Sequence, residues 1–103
     1  MEEYGEDSNL GIYERDVMGI ARTARFKKAW KQLNEEEGIL ARKAINNLAE
    51  NIRYPALRVK EIKGVEQLWE ARASRSLRMT FQIKGDEILL RNIGHHDEIL
   101  ERP

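Results

Sequence analysis

The chain has 103 residues, enough for one domain with one hydrophobic core, and its 18 basic and 18 acidic residues balance to a net charge of zero. Cysteine is absent, which excludes disulfides and thiolate zinc sites and makes a reducing cytoplasm the natural compartment. No apolar run approaches the ~18 residues of a membrane span, and the N-terminus is too acidic for a signal peptide. We therefore expect a soluble intracellular protein.

The charge is unevenly distributed along the chain. Residues 1–16 hold six acidic residues and one arginine, a net charge of −5, so the remainder carries +5. Because this leader also contains glycine and serine, we expect it to be a solvated, flexible tail. The alternative is that it folds back over the basic body and competes there with a polyanion. The expected organisation is thus a leader over residues 1–16 and a single folded domain over residues 17–103.

A strand and two helices are predicted after the leader. The apolar, β-branched run over residues 17–22 favours a strand. Thr23 can cap a helix in which Phe26, Ala29, Trp30 and Leu33 recur at helical spacing. Three glutamates at residues 35–37 favour the start of a second helix, because carboxylates stabilise the positive end of a helix dipole. This helix is expected to run to about residue 51 and to form a hairpin with the first.

Four strands are predicted in the second half of the chain, over residues 57–60, 68–73, 77–83 and 87–93. Alternation directs apolar side chains toward the helices and polar side chains to the opposite face. The expected polar face carries Arg58, Lys60, Glu70, Arg72, Arg78, Thr80 and Gln82. The expected core contains Trp30, Ile45, Leu48, Trp69, Met79 and Phe81. The predicted fold class is therefore α+β, in the order β-α-α-β-β-β-β, with a twisted, mainly antiparallel sheet packed on a helix hairpin.

The polar face leads into a closing segment that contains His95 and His96. Cations, a carboxylate and imidazoles on one surface could hold a polyanion and cut it. The alternative is a salt-bridge row on a solvated sheet, in which exposed ion pairs add only ~0–1 kcal/mol each. A metal site at these histidines and Asp97 is not expected, since adjacent histidines on one short segment rarely chelate alone.

Several stretches of the sequence resemble one protein family. They are residues 26–30 (FKKAW), 58–64 (RVKEIKG), 68–72 (LWEAR), 77–83 (LRMTFQI) and 91–100 (RNIGHHDEIL). These stretches, and the order of the elements, are similar to the RelE/ParE superfamily of toxins from type II toxin–antitoxin systems. The resemblance covers about residues 17–100. It implies a cytoplasmic toxin that binds a cognate antitoxin in a hetero-oligomer and cleaves mRNA on the ribosome. Another branch of the superfamily inhibits DNA gyrase.

The resemblance also implies roles for individual residues. In the RNA-cleaving branch the 2′-hydroxyl attacks its own 3′ phosphate without a metal or another cofactor, so the protein must move two protons and stabilise charge on phosphorus. Arg78 matches the family's central strand arginine, and Arg72 matches a second cationic position. Glu70 is inferred from its chemistry and proximity to be the general base, with His95 or His96 as the acid. Further cations expected to bind RNA are Arg58, Lys60, Lys63, Arg75 and Arg91.

One position departs from the family pattern. Many ribosome-dependent members end the closing segment with a tyrosine, whereas the matching residue is Leu100 and no aromatic residue follows Phe81. Leucine cannot donate a proton, so either a histidine has taken over this role or the chain is a weak or inactive nuclease. The alternatives are a toxin that inhibits a protein target such as gyrase, and a homologue that only binds RNA or an antitoxin-like partner.

Overall fold

The computed structural model describes residues 18–64, 67–101 and 103. Its elements are β1 (Gly19–Arg22), α1 (Ala24–Trp30), α2 (Glu35–Glu50), a 3₁₀ turn (Pro55–Leu57), β2 (Lys60–Glu61), β3 (Trp69–Arg72), β4 (Leu77–Lys84), β5 (Glu87–His95) and α3 (His96–Glu101). The α+β class and the predicted order of a strand, two helices and four strands are confirmed. The 3₁₀ turn and α3 were not predicted. The leader and Val17 lie outside the described residues.

Both long helices begin at side-chain caps. The backbone N–H of Phe26 donates to Thr23 Oγ1 at 3.0 Å, and the Thr23 hydroxyl donates to the carbonyl of Arg91 on β5 at 3.0 Å. Asn34 and Glu37 form a reciprocal capping box at the start of α2, with N···O distances of 2.8 and 3.0 Å. The bonds to Thr23 Oγ1 and at the capping box satisfy backbone N–H groups that a helix start leaves free, and the bond from Thr23 to Arg91 fixes α1 to the sheet.

The five strands form one sheet in the order β1-β5-β4-β3-β2. β1 runs parallel to β5, and the other neighbouring strands are antiparallel. The two helices cross one face of this sheet and bury a common core with it: Phe26, Ala41, Ala44, Ile45, Leu48, Leu57, Ala71, Leu77, Met79, Phe81, Ile88, Leu90 and Ile93. Each large side chain among them contributes about 1.5–3 kcal/mol of burial free energy.

The predicted core is confirmed at Ile45, Leu48, Met79 and Phe81 and is wrong in detail for the two tryptophans. Trp30 and Trp69 are half-buried and pack against the edge of the core. Each lies at an end of its element, since Trp30 is the last residue of α1 and Trp69 is the first residue of β3.

The strand predicted over residues 57–60 is mostly absent. Pro55 begins a 3₁₀ turn, and Arg58 ends it in the left-handed conformation at φ 47°. β2 therefore consists only of Lys60–Glu61. The prediction that Arg58 shares a strand with Lys60 is therefore wrong. Arg58 instead borders a groove beside Trp69 and Ile83.

The polar face of the sheet, which we define as the side away from α1 and α2, is partly covered by the end of the chain. α3 contacts β4 and β5, and the Thr80 hydroxyl donates to the Pro103 backbone oxygen at 2.6 Å. Glu70 and Thr80 are buried, at 3% and 0% exposure. The alternative interpretation, a salt-bridge row on a solvated sheet face, therefore does not hold at Glu70 and Thr80. Among the described helices, none is long and apolar enough to cross a membrane.

Candidate phosphate-binding site

Two arginines on the polar face converge on one carbonyl group. Arg72 on β3 lies directly opposite Arg78 on β4. Arg72 Nε donates to the Ser74 oxygen at 3.2 Å, and Arg78 Nη1 donates to the same oxygen at 2.9 Å. Arg78 Nη1 also lies 3.1 Å from the carbonyl oxygen of Arg75. The two guanidinium groups are therefore held side by side at the β3–β4 loop.

The loop itself is closed by short-range hydrogen bonds. The backbone N–H groups of Ala73 and Ser74 donate to the carbonyl of Leu77 at 2.9 and 3.2 Å. The Leu77 N–H donates in return to Ser74 Oγ at 3.2 Å. These bonds fix the orientation of the Ser74 peptide, so its carbonyl provides a rigid anchor for both arginines.

This arrangement leaves positive charge available to a ligand. Among the side chains that the structure describes, no carboxylate lies within 4.0 Å of either guanidinium group. Each guanidinium has five N–H donors, and the bonds to the loop use only the donors on Arg72 Nε and Arg78 Nη1. Both side chains are half-buried, which weakens screening by water. The pair is suited to an oxyanion such as phosphate, which the planar arginine fork contacts through two oxygens at once.

Glu70 lies on the same face but is shielded from solvent. It sits opposite Lys60 on β2 and Thr80 on β4. Its Oε1 is 3.6 Å from Lys60 Nζ, whereas Oε2 is buried and has no hydrogen-bond partner among the described residues. A buried carboxylate oxygen without a partner costs folding free energy, which favours a functional reason for keeping it. The strand register places Glu70, Arg72 and Arg78 on one face of the sheet, as the sequence predicted.

The two histidines point to different parts of the molecule. His95 lies opposite Leu77 and therefore faces the helices, where its Nε2 is 3.1 Å from Glu37 Oε2 of the α2 capping box. The structure does not bring His95 to the arginine pair. His96 begins α3, and its backbone N–H donates to the carbonyl of Ser76, in the same loop as Ser74, at 3.0 Å. Its Nδ1 is buried with no partner among the described residues.

The other predicted RNA-binding cations are dispersed. Arg75 is exposed in the loop that holds the arginine pair, and Lys60 is exposed beside Glu70. Arg91 donates to Gln82 Oε1 at 2.9 Å, whereas Lys63 is exposed in the turn after β2. Only the first two are therefore close to the arginine pair or to Glu70. No group of three or more His, Cys, Asp or Glu side chains within the described ranges is placed to hold a metal ion.

Sequence reasoning missed Ser74 and the closure of the polar face. Ser74 acts through its backbone carbonyl, which every residue carries, so its side-chain type provided no signal. The contact of Thr80 with Pro103 joins positions 23 residues apart and depends on where α3 places the end of the chain. An alternating strand pattern contains no information on such a contact.

Solved structures share this fold. A chain of the archaeal RelE–RelB complex from Pyrococcus horikoshii OT3 superposes with a TM-score of 0.64 at 13% identity, covering 84% of this chain and 99% of that one. A chain of the RelB–RelE antitoxin–toxin complex from Methanococcus jannaschii gives 0.63 at 18% identity, covering 81% and 98%. The YoeB/ParE toxin from Agrobacterium tumefaciens gives 0.63 at 14%, covering 77% and 99%. No protein-family model and no curated protein matches the sequence. The chain therefore has the RelE/ParE-like toxin fold.

Proposed function

We propose that this protein is the toxin of a type II toxin–antitoxin system and acts as a metal-independent endoribonuclease on ribosome-bound mRNA. The observation that carries the proposal is the arginine pair, in which Arg72 and Arg78 share the Ser74 carbonyl on a fold common to RelE toxins. A rigid pair of guanidinium groups that has no described carboxylate within 4.0 Å is suited to the scissile phosphate of RNA.

The proposed reaction needs only groups that proteins supply. The 2′-oxygen forms a bond to phosphorus while the bond from phosphorus to the 5′-oxygen breaks, which yields a 2′,3′-cyclic phosphate and a 5′-hydroxyl. One proton leaves the 2′-hydroxyl and another reaches the 5′-oxygen. Arg72 and Arg78 would stabilise the negative charge that accumulates on the phosphate oxygens. One preorganised donor of this kind typically contributes ~10²–10³ in rate.

We assign the proton transfers to Glu70 and His96. Glu70 Oε2 and His96 Nδ1 are buried atoms without a hydrogen-bond partner among the described residues, so each has an open position for a proton. Glu70 is 3% exposed, so RNA can reach it only after a neighbouring segment moves, and we propose that this is the segment that ends at Pro103 and contacts Thr80. His95, predicted from sequence as an alternative acid, would instead act by holding β5 to the start of α2.

The proposed partners are an antitoxin, mRNA and the ribosome. Two of the structurally similar chains come from complexes of RelE with RelB, which supports a toxin–antitoxin hetero-oligomer here. A basic surface of this kind suits an antitoxin segment with acidic and apolar side chains, laid against the sheet or the helix hairpin. Arg58, Lys60, Lys63, Arg75 and Arg91 are proposed to hold RNA through its phosphates, and the proposed compartment is the cytoplasm.

A second candidate function is inhibition of a protein target such as DNA gyrase. Two observations favour it: Glu70 is covered, and no aromatic residue follows Phe81 to stack on a base. In that case the same basic surface would bind the target protein, and no RNA would be cleaved. A catalytically weak homologue that binds RNA or an antitoxin is consistent with the same two observations.

Induced expression in cells, with mapping of mRNA 5′ ends, tests the proposal. We expect slowed growth and new message ends with the wild-type chain, and neither with Arg78→Ala. Lys84→Ala is the matched control, because Lys84 is an exposed cation on the same strand that is distant in sequence from the loop. Toxicity without new message ends would overturn the nuclease proposal and support a protein-target inhibitor.

A further inference from the structure

A basic pocket lies on the helix side of the sheet, away from the arginine pair. It has a volume of about 390 Å³ and is bounded by the end of β1, by α1 and by α2. Four of its lining residues are cations, namely Arg22, Lys27, Lys31 and Arg42. Of the described residues that line it, none is acidic. The volume falls in the range of ~300–1,000 Å³ that is typical of small-ligand sites.

The floor of this pocket is aromatic. Phe26 is fully buried, and its ring centroid lies 6.0 Å from that of Trp30, with the two planes 34° apart. Trp30 is half-buried and lines the pocket. The Arg42 Cζ atom lies over the Trp30 ring, 5.6 Å from its centroid, a cation–π contact that places a guanidinium group over the indole face.

The four cations of the pocket have no ion-pair partner among the described carboxylates, although Arg42 contacts the Trp30 ring. Lys27 lies on α1, and Lys31 is the residue that caps the C-terminus of α1 in a helical conformation, so the two lysines lie on the same side and repel each other. Within the described part of the chain, no carboxylate lies within 4.0 Å of the charged groups of Arg22, Lys27, Lys31 or Arg42. An anion bound among them would relieve this repulsion. An apolar floor with a cationic rim fits a ligand that joins a flat ring to an anionic group.

We propose that this pocket binds a nucleotide unit of single-stranded RNA, with the base against Trp30 and the phosphate between Lys27 and Lys31. Bases of every type stack on aromatic side chains, and cations follow the backbone, so such a site is tolerant of sequence. The pocket and the arginine pair lie on opposite faces of the sheet. Binding in the pocket therefore goes beyond the proposed cleavage reaction and does not depend on it.

Fluorescence of Trp30 tests the proposal directly. The chain has two tryptophans, so Trp69→Phe leaves Trp30 as the only one. We expect a uridine hexanucleotide to quench this fluorescence saturably in the full chain. Lys27→Gln combined with Lys31→Gln should weaken the affinity at least tenfold and lower the salt dependence, by a slope of ~0.7 for each phosphate that the variant no longer neutralises. Lys43→Gln, an exposed lysine of α2 outside the pocket, is the matched control.

Two further measurements separate this site from other possibilities. Arg78→Ala should abolish message cleavage and leave the quenching of Trp30 in place, so failure of one proposal is distinguishable from failure of the other. Quenching by a hexaglutamate peptide at equal concentration would show an acidic-peptide site and overturn the proposal. An unchanged affinity in the Lys27→Gln, Lys31→Gln double variant would overturn it as well.

Discussion

Arg72 and Arg78 lie directly opposite each other on neighbouring strands, and both donate to the Ser74 carbonyl oxygen, at 3.2 and 2.9 Å. Two like charges are thus fixed side by side by one backbone group. Holding them there is unfavourable without an anion, and the loop supplies only neutral carbonyl groups. The pair is therefore preorganised for a ligand that carries negative charge on more than one oxygen.

Replacement of Arg78 by lysine separates charge from geometry. Arg78→Lys keeps one positive charge but cannot form two parallel hydrogen bonds to phosphate, so we expect cleavage to fall by ~10²–10³. Loss of the bonds to the loop carbonyls should lower the free energy of unfolding by about 1 kcal/mol. Single-turnover cleavage and urea denaturation of the same preparation measure the two effects. A near-normal rate in Arg78→Lys would show that only a point charge is needed.

We expect the buried carboxylate of Glu70 to lower the free energy of unfolding. Its carboxylate is buried with Lys60 Nζ as its single charged neighbour among the described residues, at 3.6 Å. Glu70→Gln removes the charge at nearly constant volume, so it should raise the free energy of unfolding by about 1 kcal/mol and abolish cleavage. Glu61→Gln, an exposed glutamate on β2, should change neither. Destabilisation by Glu70→Gln would instead assign Glu70 a structural role.

The contact between Thr80 and Pro103 is expected to limit access to Glu70. Thr80→Val keeps the shape of the side chain and removes the hydroxyl, whose oxygen lies 2.6 Å from the Pro103 oxygen to which it donates. We expect a loss of about 1 kcal/mol in the free energy of unfolding together with faster cleavage of RNA. Thr80→Ser, which keeps the hydroxyl, is the control. Slower cleavage in Thr80→Val would show that the covered state is the active one.

Arg58 is the site of a predicted stabilising substitution. Its φ of 47° is unfavourable for a residue with a Cβ atom, by ~1–2 kcal/mol, whereas glycine adopts this conformation freely. Glycine loses more backbone entropy on folding, which offsets part of this gain. Arg58→Gly should therefore raise the free energy of unfolding by about 0.5–1 kcal/mol. Arg58→Ala removes the same charge and keeps the strain, so it should bring no such gain. Thermal or urea unfolding of the two variants provides the comparison.

The parts of the fold that sequence predicted follow from local rules. Thr23 caps α1 as expected, because a hydroxyl before an amphipathic run is sufficient for that geometry. Glu70, Arg72 and Arg78 share a face because side chains alternate along every strand.

The parts that sequence did not predict depend on register and on tertiary contacts. His95 and His96 differ by one position, and only the pairing of Gly94 with Arg78 decides which histidine faces the helices. Burial of Glu70 was missed because alternation along β3 separates the two faces of the strand and does not indicate which positions on a face are covered. The left-handed conformation of Arg58 was likewise missed, since glycine is the residue that normally signals it.

The central claim, that Arg72 and Arg78 act on one phosphate, is tested most directly by a double-mutant cycle. Single-turnover cleavage of ribosome-bound message would be measured for the wild type, Arg72→Lys, Arg78→Lys and the double variant. If both arginines contact the same phosphate, each single change should cost ~10²–10³, and the double change should cost far less than the product. Strictly multiplicative losses, or a wild-type chain that cleaves no message, would contradict the claim.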